Sequence, residues 1–313
     1  MYRFREILKD LFASCKNKLN EWRYKLMCRF VKIDLKELMC RCYHQVQISE
    51  RRKDDIFIPD GFGSSFLFAY KNYIFLISAE HVLSPSNFYF KLDPNKEYIG
   101  GIYTYKNIKT PEGQISPEMV NFYIDKGDYT KYFEWDDAKK KWLVHRADMF
   151  YYPISNNPSF KGKEFVTQGQ TDEKGNSIYA RLPKIIINER CVSEPQTTHT
   201  YAIYGLVQND IQHCQIVGAS IYHHGLKFIE KKGNSYFFSI SPQYEFLNKH
   251  LYWEGLSGTA VFDEGTGQIV GMAIMYDEDK LTLEVFPMKH ICAILDGYIK
   301  SRAVDADKFM IKP

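Results

Sequence analysis

Tyr73-Ile74-Phe75-Leu76-Ile77-Ser78-Ala79-Glu80-His81-Val82-Leu83 is an apolar run that stops on a histidine. Ser64–Tyr70 and the polar pair Lys71-Asn72 precede it. Two short aromatic and β-branched runs joined by two turn-forming residues read as a β-hairpin, so His81 is expected just past the end of its second arm. The same pattern continues outward. Short runs near 87–92, 98–105, 118–124 and 148–154 are separated by turn residues, and Phe133–Trp142 reads as another hairpin with a polar tip. A second set follows near 164–168, 177–187, 200–207, 214–222, 234–240, 259–263, 268–276 and 280–286. Tyr and Phe number 23 and 22, and this aromatic enrichment favours strands. Many short strands without alternating helices predict a mainly β chain, and two tandem six-stranded antiparallel β-barrels suit the count. Pro287 to about Arg302 reads as a closing C-terminal helix, with Ile291, Ile294, Leu295 and Ile299 along one side.

The first 42 residues differ. Phe4, Leu8, Leu11, Cys15, Leu19, Trp22, Leu26 and Phe30 recur in steps of three and four, and no Gly or Pro occurs before Pro59. This spacing predicts one or two helices over about 3–42, with a break near Lys32–Asp34 and Asp34 as a candidate cap. The segment holds 11 Lys/Arg against 5 Asp/Glu, whereas the whole 313-residue chain carries only +3. A balance that small points to no nucleic-acid partner. The mixed polar face favours intramolecular packing or docking of a regulatory protein over a membrane surface. No uncharged apolar run approaches the roughly 18 residues of a bilayer span, and the charged start lacks a signal peptide's unbroken apolar stretch. Seven cysteines, four of them before residue 43, make a poor disulfide framework. A cytoplasmic, reducing location is therefore expected.

Acyl transfer by serine needs a hydroxyl beside a base, a carboxylate that orients the base, and N–H donors for the oxyanion. Gly255-Leu256-Ser257-Gly258, before the apolar run Thr259–Phe262, places Ser257 on a glycine-permitted turn at the mouth of a strand, where the Gly255 and Ser257 amides can converge. A Gly-x-Ser-Gly turn alone is a weak signal. Its context strengthens it. Gly61–Phe68, Ser78-Ala79-Glu80-His81-Val82, Ala147-Asp148-Met149-Phe150, Gly255–Phe262 and Gly267-Gln268-Ile269-Val270-Gly271 stand in this order along the chain.

This series resembles the trypsin/chymotrypsin superfamily, especially its bacterial intracellular and HtrA-like branches without a PDZ domain. The order His, Asp, Ser is the trypsin-like one. The resemblance covers about residues 57–295. It implies a serine endopeptidase with His81 as general base, Asp148 as its orienting carboxylate, Ser257 as nucleophile, and the Gly255 and Ser257 amides as oxyanion hole. It also implies substrate-binding positions at Leu251, Tyr252, Met272 and Ala273. With no acidic residue at the pocket base, an apolar or small P1 side chain is expected. Protein or peptide substrates follow, without cofactor or metal. His213-Cys214 and His223-His224 read as ordinary histidines, since alternation sends His223 and His224 to opposite faces. The expected domains are a helical extension (1–50), a first barrel with His81 and Asp148 (51–155), and a second barrel with Ser257 and the closing helix (156–313).

Two departures matter. Leu256 stands where trypsins carry the aspartate that pairs with a newly cut N-terminus, so activation by N-terminal insertion is not expected. Thr259-Ala260 replaces the usual Gly-Pro, which motivates a rival reading: a catalytically silent, trypsin-fold binding module.

Overall fold

The computed structural model describes residues 34–51, 57–83, 97–109, 115–123, 131–136, 139–168, 170–171, 177–212, 215–240 and 253–309. Of the helices expected over 3–42, only α1 (Leu35–Cys42) falls within them. The expected strand near 87–92, His213-Cys214, and the candidate pocket residues Leu251 and Tyr252 lie outside them.

The amino-terminal half is one sheet. Its strands are β1 (Tyr43–Arg51), β2 (Phe57–Tyr70), β3 (Tyr73–Ser78), β4 (Glu97–Lys109), β5 (Ile115–Tyr123) and β8 (Phe150–Pro153), in the order β5-β4-β1-β2-β3-β8. Between β5 and β8 in sequence, β6 (Lys131–Asp136) and β7 (Lys141–Arg146) pair only with each other. The expected first six-stranded barrel is thus an open sheet among the described residues. At its two ends, Phe122 of β5 lies against Tyr152 and Phe150 of β8, with ring centroids 5.0 and 6.0 Å apart. Residues 43–50, expected in the helical extension, form β1 between β2 and β4.

The second unit is a closed barrel of six strands. They are β12 (Thr200–Gln212), β13 (Gln215–Lys232), β14 (Ser235–Ser239), β15 (Ala260–Asp263), β16 (Ile269–Asp277) and β17 (Thr282–Pro287), in the cyclic order β12-β13-β14-β17-β16-β15. Tyr201, Ile203, Leu226, Phe238, Trp253, Leu256, Val261, Ala273 and Val285 fill its interior. The opposite faces of β12, β15 and β16, through Ala202, Tyr204, Ala260, Phe262, Met272 and Ile274, share one core with the first sheet. Burying both faces couples the two units.

Two further segments join them. Residues 156–199 carry short pairs, β9 (Gln170–Thr171) with β10 (Ser177–Ile178), and β11 (Ile187–Asn188) beside β2. Ile185 N–H donates to Arg41 C=O at 2.9 Å and the Arg41 Nε donates to Pro183 C=O at 2.9 Å. The Lys184 ammonium donates to the Cys40 C=O at 3.0 Å and to the Tyr43 C=O. The bonds to the Cys40 and Arg41 carbonyls satisfy acceptors in the last turn of α1, where a helix leaves its own carbonyls without intrahelical donors. Asp34 occupies the expected cap position but makes no side-chain bond to the helix; its carboxylate accepts from the Tyr179 hydroxyl at 2.8 Å. The closing helix, α3 (Met288–Phe309), buries Met288, Ile291, Ile294 and Leu295. It reaches back to the β2–β3 hairpin, where Tyr70 donates to Asp296 at 2.9 Å and Tyr298 meets Phe75 edge-on at 5.8 Å. Among the described residues, no helix is long and apolar enough to cross a membrane.

Candidate active site

His81 lies in a one-turn helix, α2 (Glu80–Leu83), at the point where β3 ends. The turn packs close because Gly63 has no side chain: a Cβ there would lie 2.0 Å from Val82 Cγ1. Asp148 reaches the same point through strand register. β3 and β8 are antiparallel with Ser78 opposite Phe150, so the residue two before Phe150 falls beside the turn that follows Ser78. Asp148 Oδ1 accepts the His81 main-chain N–H at 3.0 Å, and Oδ2 lies 2.6 Å from His81 Nδ1. A carboxylate facing Nδ1 takes a donor there, so a neutral ring held this way would present its lone pair at Nε2.

Ser257 sits in a loop with two left-handed glycines, Gly255 (φ 98°) and Gly258 (φ 94°). Such angles suit residues without a Cβ. A Cβ on Gly258 would fall 2.1 Å from Ser64 O, 2.7 Å from Ser78 Oγ and 3.0 Å from Ala79 N. The loop is therefore seated against the strand end that leads into His81. Gly258 N–H donates to Ala273 C=O at 2.8 Å, Ala273 N–H to Thr259 C=O at 2.9 Å, and Ser64 N–H to Ser257 C=O at 3.2 Å. Among the described residues, the Gly255 and Ser257 N–H groups donate to no main-chain carbonyl. The Ser257 hydroxyl donates to the Ile274 C=O at 3.1 Å.

Of the expected pocket residues, Met272 and Ala273 are 0% and 1% exposed. Their side chains belong to the packed interior, which corrects the expectation that they line a pocket; Ala273 acts on the loop through its main chain. Farther along β16 the exposure changes, and Met275 is 48% exposed. Behind the loop, Trp253 stacks between two rings, His223 at 4.3 Å and Tyr276 at 4.4 Å, with interplanar angles of 6° and 17°. His223 is fully buried and His224 stacks on Tyr222, in line with the expected alternation.

Sequence reasoning left Ser64 and Trp253 unassigned. Ser64 lay within the quoted Gly61–Phe68 motif, but the role of its polar atoms depends on a loop 191 residues away. The part played by Ile274 carries no side-chain signal, because its contact is a main-chain carbonyl.

No family model and no curated protein matches the chain. Among solved structures, it is similar to the protease of tobacco vein mottling virus, at 11% identity and TM-score 0.37, over 82% of this chain and 81% of that one. A catalytically inactive tobacco etch virus protease complexed with substrate gives 10% identity and TM-score 0.36, over 82% and 81%. The catalytically active tobacco etch virus protease complexed with product gives 12% and 0.33, over 82% and 76%. Identities and scores at this level assign no family.

Proposed function

We propose that this chain is a serine endopeptidase that cleaves protein or peptide substrates through an acyl-enzyme. The observation that carries the reading is the double hydrogen bond from His81 to Asp148, which holds the ring with its basic nitrogen turned away from the carboxylate. In the reaction the Ser257 hydroxyl turns from Ile274 C=O to His81 Nε2 and gives up its proton as Oγ attacks the scissile carbonyl. The resulting oxyanion takes hydrogen bonds from the Gly255 and Ser257 amides. The imidazolium, stabilised by Asp148, returns the proton to the leaving amine, and water then cleaves the acyl-enzyme by the same steps in reverse order. An apolar or small P1 side chain is part of this reading. A cytoplasmic setting and control by a partner bound to the amino-terminal segment complete the reading.

The rival is a binding module of the same architecture. It is favoured by the Ser257 hydroxyl's bond to Ile274 C=O. A fluorophosphonate probe separates the two. Labelling of wild type that is lost in both Ser257→Ala and His81→Ala is the expected result. No labelling, with or without candidate partners, would overturn the peptidase reading in favour of the module.

A further inference from the structure

The four-residue loop Gly255–Gly258 is held by peptide planes pinned one after another. The Gly255 C=O accepts the Ser64 hydroxyl, and the Leu256 N–H in the same plane donates to Trp253 C=O at 3.1 Å. In the next plane the Leu256 C=O accepts the Thr259 N–H at 3.0 Å. The Ser257 N–H, which lies opposite that carbonyl in a trans peptide, is thereby aimed the other way. In the third plane the Ser257 C=O accepts the Ser64 N–H and the Gly258 N–H binds Ala273 C=O. Ser64 thus grips the first and third planes at once. Its own carbonyl accepts from Ser78 Oγ at 2.7 Å, so all three of its polar groups are engaged, and the residue is fully buried.

A second contact locks the side chain between the pinned planes. Leu256 is 2% exposed and belongs to the barrel core. It fills the hollow left by Gly205, where a Cβ would come within 2.6 Å of Leu256 Cδ2, 3.3 Å of Ser64 Oγ and 3.4 Å of Tyr43 Cε2. Leu256, Ser64 and Tyr43 therefore converge on one point of β12.

We infer that Ser64 is a positioning residue for the candidate oxyanion-binding amides: its hydroxyl, donated to Gly255 C=O, sets the orientation in which the loop presents the N–H groups of Gly255 and Ser257. The inference rests on the peptidase reading for its effect on rate, but the hydrogen bond itself is a property of the fold. Without the hydroxyl, the first plane is held only by Leu256 N–H, and Gly255 regains the rotational freedom that its missing Cβ allows. Ser64 touches neither substrate nor reacting atoms, so its loss is expected in the chemical step and not in ground-state binding.

The test compares Ser64→Ala with Ser65→Ala. Ser65 is the matched control: it is equally buried, and its hydroxyl donates to His44 C=O at 3.1 Å, away from the loop. In Ser64→Ala the fluorophosphonate acylation rate, and kcat on any peptide the wild type cleaves, is expected to fall about 10- to 100-fold, with KM within about 2-fold, somewhat less than the loss of an oxyanion donor itself. Ser65→Ala is expected to stay within about 2-fold of wild type on that scale. An equal fall in both variants would overturn the proposal, since it would reflect only the loss of a buried hydroxyl. A second readout needs no activity: with Gly255 labelled at its carbonyl carbon, the ¹³C resonance should shift in Ser64→Ala and not in Ser65→Ala. If wild type is never acylated, the peptidase reading fails while the carbonyl resonance still decides the positioning role. An unmoved Gly255 resonance in Ser64→Ala would end it.

Discussion

Asp148 holds His81 at two points, the main-chain N–H at 3.0 Å and the ring Nδ1 at 2.6 Å. A carboxylate bonded only to a ring leaves the side chain free to swing with its partner. Here the second bond ties Asp148 to the backbone that carries the ring, so the carboxylate and imidazole keep one geometry. The β3–β8 ladder, with Ser78 opposite Phe150, supplies the frame for both.

Replacing Asp148 by Asn tests the ring's protonation pattern. An amide of nearly the same shape keeps an acceptor for the main-chain N–H and turns its NH₂ donor toward Nδ1. The proton then moves to Nε2 and the base is lost. Fluorophosphonate labelling of Asp148→Asn is expected to fall by about four orders of magnitude. The thermal midpoint should change little, because Asp148 is partly exposed. Labelling within tenfold of wild type would show that Asp148 does not orient the base.

Gly258 is expected to tolerate no side chain. Its φ of 94° and the 2.1 Å approach of Ser64 O to a Cβ leave no relaxed position for alanine, and the obstacle is backbone. Gly258→Ala should lower the unfolding free energy by about 3 kcal/mol or more, from left-handed strain together with displacement of the Ser64 strand. Urea unfolding measures it. As a comparison, Gly162 (φ 75°) and Gly233 (φ 58°) have nothing within 4 Å of the same Cβ, so alanine there meets only the conformational cost.

Lys184 should show itself in alkaline stability. Burial lowers its ammonium from the ordinary lysine value to about 8, opposed by Cys40 and Cys42. Between about 8 and the unfolded value near 10.4, the unfolded chain binds the proton and the folded chain does not. Stability from this group therefore rises with pH across that window. Cys42, pushed upward by burial, contributes with the opposite sign above the ordinary thiol value. The difference between wild type and Lys184→Met reads the lysine, since the upward shift of Cys42 comes first from burial and the Lys184 charge only opposes it, so Cys42 stays raised in both. That difference should move in favour of wild type from pH 8 to 10.4 in paired urea titrations. A flat difference would mean that Lys184 titrates at its ordinary value.

What the sequence determined by itself is local. The strand of residues 73–78 ending before His81, the hairpin about Lys71-Asn72, Ser257 between two glycines and the closing helix after Pro287 all follow from side-chain periodicity and turn chemistry within a few residues. The six strands of the second barrel were legible for the same reason. The helix end expected near 42 falls at Cys42, but the domain boundary expected at 50 falls inside a strand, because Tyr43–Arg51 becomes one only through pairing with β2 and β4. Tertiary structure decided the rest. Which of many carboxylates meets His81 depends on the register between β3 and a strand about 70 residues away. That Phe122 of β5 meets Phe150 and Tyr152 of β8 depends on how the ends of the first sheet are brought together. That Ser64 grips the Gly255–Gly258 loop, and that Met272 and Ala273 turn inward, depends on how two units share one core. Short-range patterns are written in neighbouring side chains, whereas these pairings arise only when distant surfaces exclude water together, and no single segment carries them.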